Sequence, residues 1–267
     1  MSEISAGLVK ELRELTGAGM MDCKRALQDT DGDLDAARTL LRAKGMAQAG
    51  KRADRATTEG LVGSIVAGDI GTIVGIGCET EPVSKSDEFQ SFAERVLRAV
   101  HEGGVSAAEA FDEERLELIG KLGENIVVAG AERYEGAGTI AAYVHPPANK
   151  IGVLVDLEGG DETLARQLAM HISFAAPEWA TRDDVAAEAI EAERQVYLNS
   201  DEVLSKPEAA REKIVTGMLG KRFFAAAPGG VLVDQAWIHD QSKSVGAALE
   251  AVGATLKGFK RVSVAGS

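Results

Sequence analysis

The sequence has few cysteines and no long apolar run, and each shortage excludes a class of protein. Cys23 and Cys78 are its two cysteines, and they lie far apart with no CxxC pair. This spacing argues against a disulfide framework and against a zinc site. No run approaches the roughly 20 apolar residues of a membrane span, and the N-terminal residues lack the basic and apolar regions of a signal peptide. We therefore expect a cytoplasmic protein that makes no membrane contact.

Aromatic residues and positive charge are also scarce. Aromatic residues make up 4% of the chain, and 29 Lys and Arg stand against 42 Asp and Glu, for a net charge of −13. Binding to nucleic acid relies on Lys and Arg for the phosphates and on aromatic rings for the bases. No direct nucleic-acid partner is therefore expected. Residues 1–60 are neutral, so the net acidity belongs to the remainder of the chain.

The N-terminal residues have the pattern of three short helices. Ser5 is a helix cap before the first, and Gly17 ends it. Gly32 ends the second helix, and Asp33 caps the third. Apolar residues at helical spacing give each helix one buried stripe: Leu8, Leu12 and Leu15, then Cys23, Ala26 and Leu27, then Leu34, Ala37 and Leu41. The pattern predicts a miniature helical bundle.

Met20 and Met21 are adjacent at the start of the second helix. Helical neighbours point about 100° apart, so both cannot face the core of a thin bundle. At least one should be partly exposed, close in sequence to Arg13 and Lys24, where a methionine is an adaptable contact residue. Local packing of both methionines is the alternative.

A basic stretch rich in small residues, 44–55, separates this bundle from the first strand pattern. It predicts a helix end followed by a solvated linker, and hence a domain boundary.

The rest of the chain repeats one pattern: a strand, a tight turn, a second strand and an amphipathic helix. The first copy has strands at 60–66 and 72–76 and then a helix; the second has strands at 138–144 and 151–155 and then a helix. The helical stripes are Phe89, Phe92, Val96 and Val100 in the first copy, and Leu164, Leu168, His171 and Ile172 in the second. We predict a duplicated α+β core in which a helix covers one face of each sheet.

The remaining segments connect or interrupt these two copies. Residues 113–128 are predicted to form a helical connection between them. A charged helical stretch opens at Thr181 and another helix begins at Pro207, which predicts an antiparallel helical hairpin inserted into the second copy. A helix capped by Ser244 and a strand over 256–264 close the chain.

Templates for catalysis match nothing in the chain. The histidines are isolated, and no nucleophile, metal or phosphate-loop motif occurs. No catalytic residue, metal site or cofactor is therefore expected, and the protein is not expected to be an enzyme. The unusual segment is residues 78–85, CETEPVSK, which follows a buried strand and precedes a helix. Such a loop is either a binding element or a simple capped turn.

Residues 12–27, LRELTGAGMMDCKRAL, resemble the first signature of the elongation factor Ts family. Further matching segments lie at residues 51–60, 123–125, 145, 151–155, 169–171 and 242–245. The resemblance covers nearly the whole chain, and its first motif is highly specific. The family's layout agrees with the helical head, the duplicated core and the helical hairpin described above.

The resemblance implies a guanine nucleotide exchange factor that acts on elongation factor Tu during translation elongation. The implied partner is elongation factor Tu in both its GDP-bound and its nucleotide-free form. The N-terminal bundle, similar to ubiquitin-associated domains, would dock on the partner through Arg13, Met20, Met21 and Lys24. A loop would disturb the partner's magnesium and phosphate site; its residues are Thr80, Glu81, Pro82, Val83, Ser84 and Lys85. In the core, Gly123, Asn125 and His145 would contact another partner domain.

The implied domains are a bundle at 1–45, a basic linker at 46–59, one core subdomain at 60–137, and a second at 138–180 and 220–267. The helical hairpin, 181–219, interrupts the second subdomain and is a candidate for self-association into a homodimer.

The chain departs from the family at the loop. The family usually has Thr-Asp-Phe-Val, whereas this chain has Thr80, Glu81, Pro82 and Val83. Proline offers no aromatic ring to insert and fixes its own backbone. The alternative function is therefore a divergent paralogue or binding module that holds elongation factor Tu with weak or no exchange. An enzyme acting on a small molecule is a third, less favoured class.

Overall fold

Two three-stranded sheets lie face to face in the computed structural model, which describes residues 4–264. Helices cover the outer face of each sheet, so the core of the molecule has four layers. Three helices precede this core, and further helices interrupt its second half. The predicted α+β class with a duplicated core is confirmed.

The N-terminal head is a bundle of α1 (Ala6–Thr16), α2 (Met20–Asp29) and α3 (Leu34–Arg52). The predicted caps are confirmed: the side chain of Ser5 accepts a hydrogen bond from the amide of Leu8, and Gly17 ends α1 at φ 65°. The buried core residues include Leu12, Cys23, Ala26, Leu27 and Ala37. The prediction was wrong for Leu15, which is 60% exposed, because the bundle is too thin to cover three turns of α1.

The helix α3 continues through Arg52, past the predicted linker start at residue 46. It packs on α6 (Asp112–Leu122), where a Cβ on Gly120 would lie 3.1 Å from the Cα of Gly45. The Nε of Arg42 lies 3.2 Å from a carboxylate oxygen of Glu117 at the same contact. The head therefore rests on the core through the close approach of two helix backbones.

The first sheet has β1 (Glu59–Ala67), β2 (Ile70–Cys78) and β3 (Ile126–Glu135), with β2 in the centre. The helix α5 (Asp87–Gly103) and α6 cover its outer face, and Phe89, Phe92, Val96 and Val100 are buried there as predicted.

The predicted helical connection over 113–128 was wrong at its end. Gly123 closes α6 in the left-handed conformation at φ 79°, and Ile126 begins the third strand. The β-branched residues Val127 and Val128 favour a strand, and pairing with β2 decides their conformation.

The second sheet repeats the first. It has β4 (Thr139–Val144), β5 (Ile151–Glu158) and, after a long insertion, β8 (Thr255–Ser263). The helices α7 (Glu162–Ala175) and α11 (Val245–Glu250) cover its outer face. The register between the central and third strands shifts once in each sheet, at Gly75/Ile76 and at Asp156/Leu157.

The inner faces of the two sheets pack on each other, an arrangement that the strand patterns do not predict. Val62 and Ile73 from the first sheet meet Leu154 and Val262 from the second. A Cβ on Gly75 would lie 2.5 Å from a methyl carbon of Val262. A glycine in the central strand therefore allows this close approach of the sheets.

The insertion in the second unit contains α8 (Ala187–Leu198), a single turn α9 (Asp201–Leu204) and α10 (Glu208–Met218), and it has its own small core. Arg194 on α8 and Glu212 on α10 form an ion pair at 2.6 Å. The chain returns to the core through a short ribbon of β6 (Ala236–Trp237) and β7 (Asp240–Ser244).

Candidate functional site

The segment between β2 and α5, residues 79–86, contains one exposed helical turn and is called the loop below. Its centre is a single helical turn, α4 (Glu81–Ser84), with Pro82 in the first turn, where a missing N–H costs no hydrogen bond. The Ser86 side chain caps α5 by accepting from the amide of Phe89. The loop is therefore a defined structure held between a buried strand and a capped helix.

The loop presents some of its predicted residues to solvent and buries others. Thr80, Glu81, Pro82 and Lys85 are exposed, whereas Val83 is half-buried against the core of the first unit. Ser84 is buried, and its hydroxyl donates to the carbonyl oxygen of Glu81 at 2.8 Å. Glu81 and Pro82 thus form the exposed tip, while the side chains of Val83 and Ser84 anchor the loop.

The base of the loop is held by the carboxylate of Glu124. The amides of Glu79 and Thr80 donate to its Oε2 atom at 3.1 and 3.0 Å, and the Thr80 hydroxyl donates to its Oε1 atom at 2.5 Å. The sequence patterns assigned no role to Glu124. The one feature of the sequence that could have indicated this role is the position of Glu124, an acidic residue between a glycine that ends a helix and the start of a strand.

Asn125 connects the loop to the segment that follows the head. Its amide donates to Oε1 of Glu79 at 2.7 Å, and its side-chain Nδ2 donates to the carbonyl oxygens of Ala53 and Arg55 at 3.3 and 2.9 Å. The side chain is 3% exposed. The implied direct contact between Asn125 and a partner therefore does not fit this structure, because its side chain already serves the linker. Gly123 beside it ends α6 and is half-buried.

His145 lies on the turn between β4 and β5, exposed, with Nδ1 2.9 Å from the hydroxyl of Tyr143. The amide of Val62 donates to the carbonyl oxygen of Asn149 in this turn, and Lys150 pairs with Glu59 at 2.5 Å. Since Glu59 is paired with Cys78 at the end of β2, the turn and the loop lie at the same end of the first sheet.

Charges at the loop tip are paired with each other. Lys85 lies 2.6 Å from a carboxylate oxygen of Glu81, and this hydrogen bond lowers the pKa of Glu81 and raises that of Lys85. Burial raises the pKa of the neighbouring Cys78 thiol to about 12. Cys78 therefore remains a protonated thiol at neutral pH and is a poor nucleophile.

The contact positions proposed for the head are all on its surface. Arg13 on α1 and Lys24 on α2 are exposed. Met20 and Met21 are 58% and 62% exposed, so the prediction that at least one would be exposed is confirmed for both. Two adjacent exposed methionines make an apolar, adaptable patch, with Lys24 one turn further along the same helix.

Within residues 4–264, no group of three or more His, Cys, Asp or Glu side chains is placed to hold a metal. A cleft of about 410 Å³ lies between the head and α6, and two of the cations that line it are paired with carboxylates, Arg25 with Asp22 and Lys121 with Glu88. Across the same residues, no helix has the length and apolar character needed to cross a membrane.

A buried histidine joins the second sheet's helix to the end of the insertion. Nε2 of His171 lies 3.0 Å from Oε1 of Gln235, and the amide of Ile238 donates to Nδ1 at 3.4 Å. The Gln235 amide group in turn donates to the carbonyl oxygen of Ala226 at 2.8 Å. Desolvation by burial lowers the pKa of His171, so the neutral ring serves as a structural joint.

The similarity of this chain to known proteins extends over nearly its whole length. The family model described as Elongation factor TS matches residues 79–266. An elongation factor Ts from Alkalilimnicola ehrlichii is 43% identical over 98% of this chain and 92% of its own length. The elongation factors Ts of Klebsiella pneumoniae and Hydrogenovibrio crunogenus are 40% and 39% identical, over 99% and 98% of this chain and over 92% and 91% of their own lengths. The chain therefore belongs to the elongation factor Ts family.

Proposed function

We propose that the protein is a guanine nucleotide exchange factor that binds elongation factor Tu·GDP and promotes GDP release during translation elongation. The observation that carries this proposal is the loop, whose exposed tip of Glu81 and Pro82 stands on a base fixed by three hydrogen bonds to Glu124. An element of this kind enters a partner's site without first having to be ordered.

Nucleotide exchange depends on differences in binding affinity, and no covalent bond is formed or broken. A magnesium ion bound to the diphosphate of GDP would neutralise part of its charge. A loop that displaces this ion would weaken GDP binding. Exchange then follows because the protein binds the nucleotide-free partner better than the GDP-bound partner.

The remaining predicted contacts supply affinity. We assign Arg13, Met20, Met21 and Lys24 to docking of the head on the partner's nucleotide domain, and His145 to a second partner domain. Gly123 is assigned to the same second contact, whereas Asn125 acts by holding the linker. The domain boundaries are retained as a proposal, except that the helix of the head extends to Arg52.

A binding module with weak or no exchange is the second candidate. The observation that favours it is Pro82 at the loop tip, where the family usually has phenylalanine. Proline removes the aromatic wedge and leaves the acidic Glu81 in place. Such a protein would still bind elongation factor Tu but would accelerate GDP release weakly or not at all.

Release of fluorescently labelled GDP from elongation factor Tu, with and without the protein, separates the two candidates. Accelerated release supports exchange. Tight binding without acceleration supports the binding module, and absence of binding contradicts both.

The variant Pro82→Phe tests the wedge directly. We expect faster GDP release than with the unaltered protein, because a ring is restored at the tip. An unchanged rate would argue against a wedge role for this position. Val252→Phe is the matched control, because Val252 is 57% exposed on a turn of the second unit.

A further inference from the structure

We propose that Glu124 is a positioning residue for exchange, which sets the conformation of the loop without touching the partner. The proposal rests on the proposed function and extends it to a residue outside the loop. It starts from the contacts at the loop base, where one carboxylate accepts from two successive backbone amides and a hydroxyl.

The position of these amides explains why they need an acceptor. Strand pairing between β2 and β3 ends at Cys78 and Ile126, so the amides of Glu79 and Thr80 lie just beyond the ladder. Glu124 provides both with a charged acceptor, and hydrogen bonds to a charged group are stronger than those between neutral groups. The carboxylate thus takes the place of a strand partner for these two amides, and it fixes the backbone of the first two loop residues.

A second carboxylate completes the arrangement in the opposite direction. Glu79 accepts the amide of Asn125 at 2.7 Å and lies 3.4 Å from Nη1 of Arg55. The β2–α5 and α6–β3 junctions therefore hold each other, each through a carboxylate that accepts a backbone amide of the other. Through Arg55 and Asn125 the arrangement also includes the segment that leads from the head.

The tip begins one residue after this base, at Glu81. If the base is released, the tip must be ordered when the partner binds, and that ordering reduces the energy available to disturb the nucleotide site. Loss of the carboxylate should therefore reduce the maximal rate of GDP release more than it reduces binding, because the head contacts are unaffected.

A purely structural role predicts something different. The core of the first unit consists of apolar residues from β2, α5, α6 and β3, and Glu124 is not among them. Glu124→Gln keeps the size of the side chain but removes its charge and one acceptor oxygen, so the NH₂ group has to face a donor. The fold should remain, with the disturbance confined to the loop base.

The first test uses hydrogen exchange on the isolated protein and needs no partner. In Glu124→Gln, protection of the Glu79 and Thr80 amides should fall about tenfold, which corresponds to about 1.4 kcal/mol, while β1 and β2 remain protected. The matched control is Glu94→Gln, which removes a carboxylate paired with Arg98 on the surface of α5. Unchanged protection at residues 79 and 80, or a uniform loss across the sheet, would overturn the proposal.

The second test measures labelled GDP release over a range of protein concentrations. We expect the maximal rate to fall about tenfold in Glu124→Gln, with the half-saturating concentration within twofold of the unaltered value. Thr80→Val removes one donor of the same arrangement, so its effect and that of Glu124→Gln should be non-additive. Additive effects, or a change confined to the half-saturating concentration, would contradict a positioning role.

The two tests keep the proposals distinguishable. If the unaltered protein does not accelerate release, exchange is wrong, and hydrogen exchange still decides whether Glu124 orders the loop. If Glu124→Gln does not fold, Thr80→Val carries the same measurements, and unchanged protection of the Glu79 and Thr80 amides in that variant would overturn the proposal.

Discussion

The two sheet-and-helix units differ most at the junction where the central strand leads to the helix. In the first unit eight residues, 79–86, connect β2 to α5 and form a loop with an exposed tip. In the second unit, β5 reaches α7 through Gly159, Gly160 and Asp161, and both glycines have positive φ. Each helix is nevertheless capped by a side chain, from Ser86 in one unit and Asp161 in the other.

The sheet and the helix of each unit therefore form without depending on the length of the junction between them. The helices are positioned by burial of their apolar faces, and a few extra loop residues change the cost of closure by less than about 1 kcal/mol. A duplicated unit can therefore carry a functional loop in one copy and a minimal turn in the other.

Exchanging the junctions should give the largest effect. Replacing residues 79–86 with Gly-Gly-Asp should reduce stimulated GDP release to the rate of elongation factor Tu alone, because the tip is absent, while circular dichroism remains native. Lengthening the Gly159–Asp161 turn by five residues is the control and should leave release unchanged. Retained stimulation in the first variant would show that the loop is not the active element.

Truncating a helix anchor in each unit should give similar losses despite the different junctions. Phe89→Ala and Leu168→Ala both open cavities under a central helix, where each residue is fully buried. We expect losses of about 3–5 and about 2–5 kcal/mol in the free energy of unfolding, measured with denaturant. The two units share an apolar interface, so one cooperative transition is expected in each case; two separate transitions would contradict that interface.

Adding volume between the sheets should have a smaller effect. Gly75→Val places a side chain against Val262, and we expect a loss of about 1–3 kcal/mol in the free energy of unfolding. Gly217→Ala on α10 is the control, because its Cβ would enter open space, and it should stabilise by about 0.5–1 kcal/mol. If the two variants changed the free energy of unfolding equally, the two sheets would have to move apart at little cost to accept the added side chain.

The smallest effect should be a pH dependence specific to the second unit. The folded pKa of His171 is lowered by burial, so the unfolded chain binds the proton more readily. Stability should be fully present above the unfolded pKa near 6.5 and fall below it, by at most about 1.4 kcal/mol per pH unit. In His171→Gln this contribution to the slope between pH 7.5 and 5.5 should vanish; an unchanged slope would assign it to other groups.

Local patterns predicted much of the fold. The caps at Ser5, Asp33 and Ser244, and the buried stripe of α5, depend on residues close in sequence. The third strand of the first sheet was missed, because Ile126–Glu135 has no clear alternation and becomes a strand by pairing with β2. The packing of the two sheets was also missed, since the glycines that permit it carry no pattern of their own.

The candidate site was only partly predictable for the same reason. The unusual composition of the loop indicated a candidate binding element, and the two adjacent methionines indicated an exposed face on the head. Glu124 lies 44 residues from Thr80, and no local pattern relates them. Asn125 was assigned to a partner contact, yet its side chain is buried against the carbonyl oxygens of Ala53 and Arg55.

Local features of the chain were enough to predict the α+β class, the helical head, the duplicated strand–strand–helix order and the family, because periodicity, caps and signature residues depend on neighbouring residues. Three features became visible only in the folded chain: the carboxylate that accepts the amides at the loop base, the loop residues that face solvent, and the close approach of the two sheets. Those outcomes depend on hydrogen bonds and packing between segments far apart in the chain, where the geometry of the whole fold selects the partner.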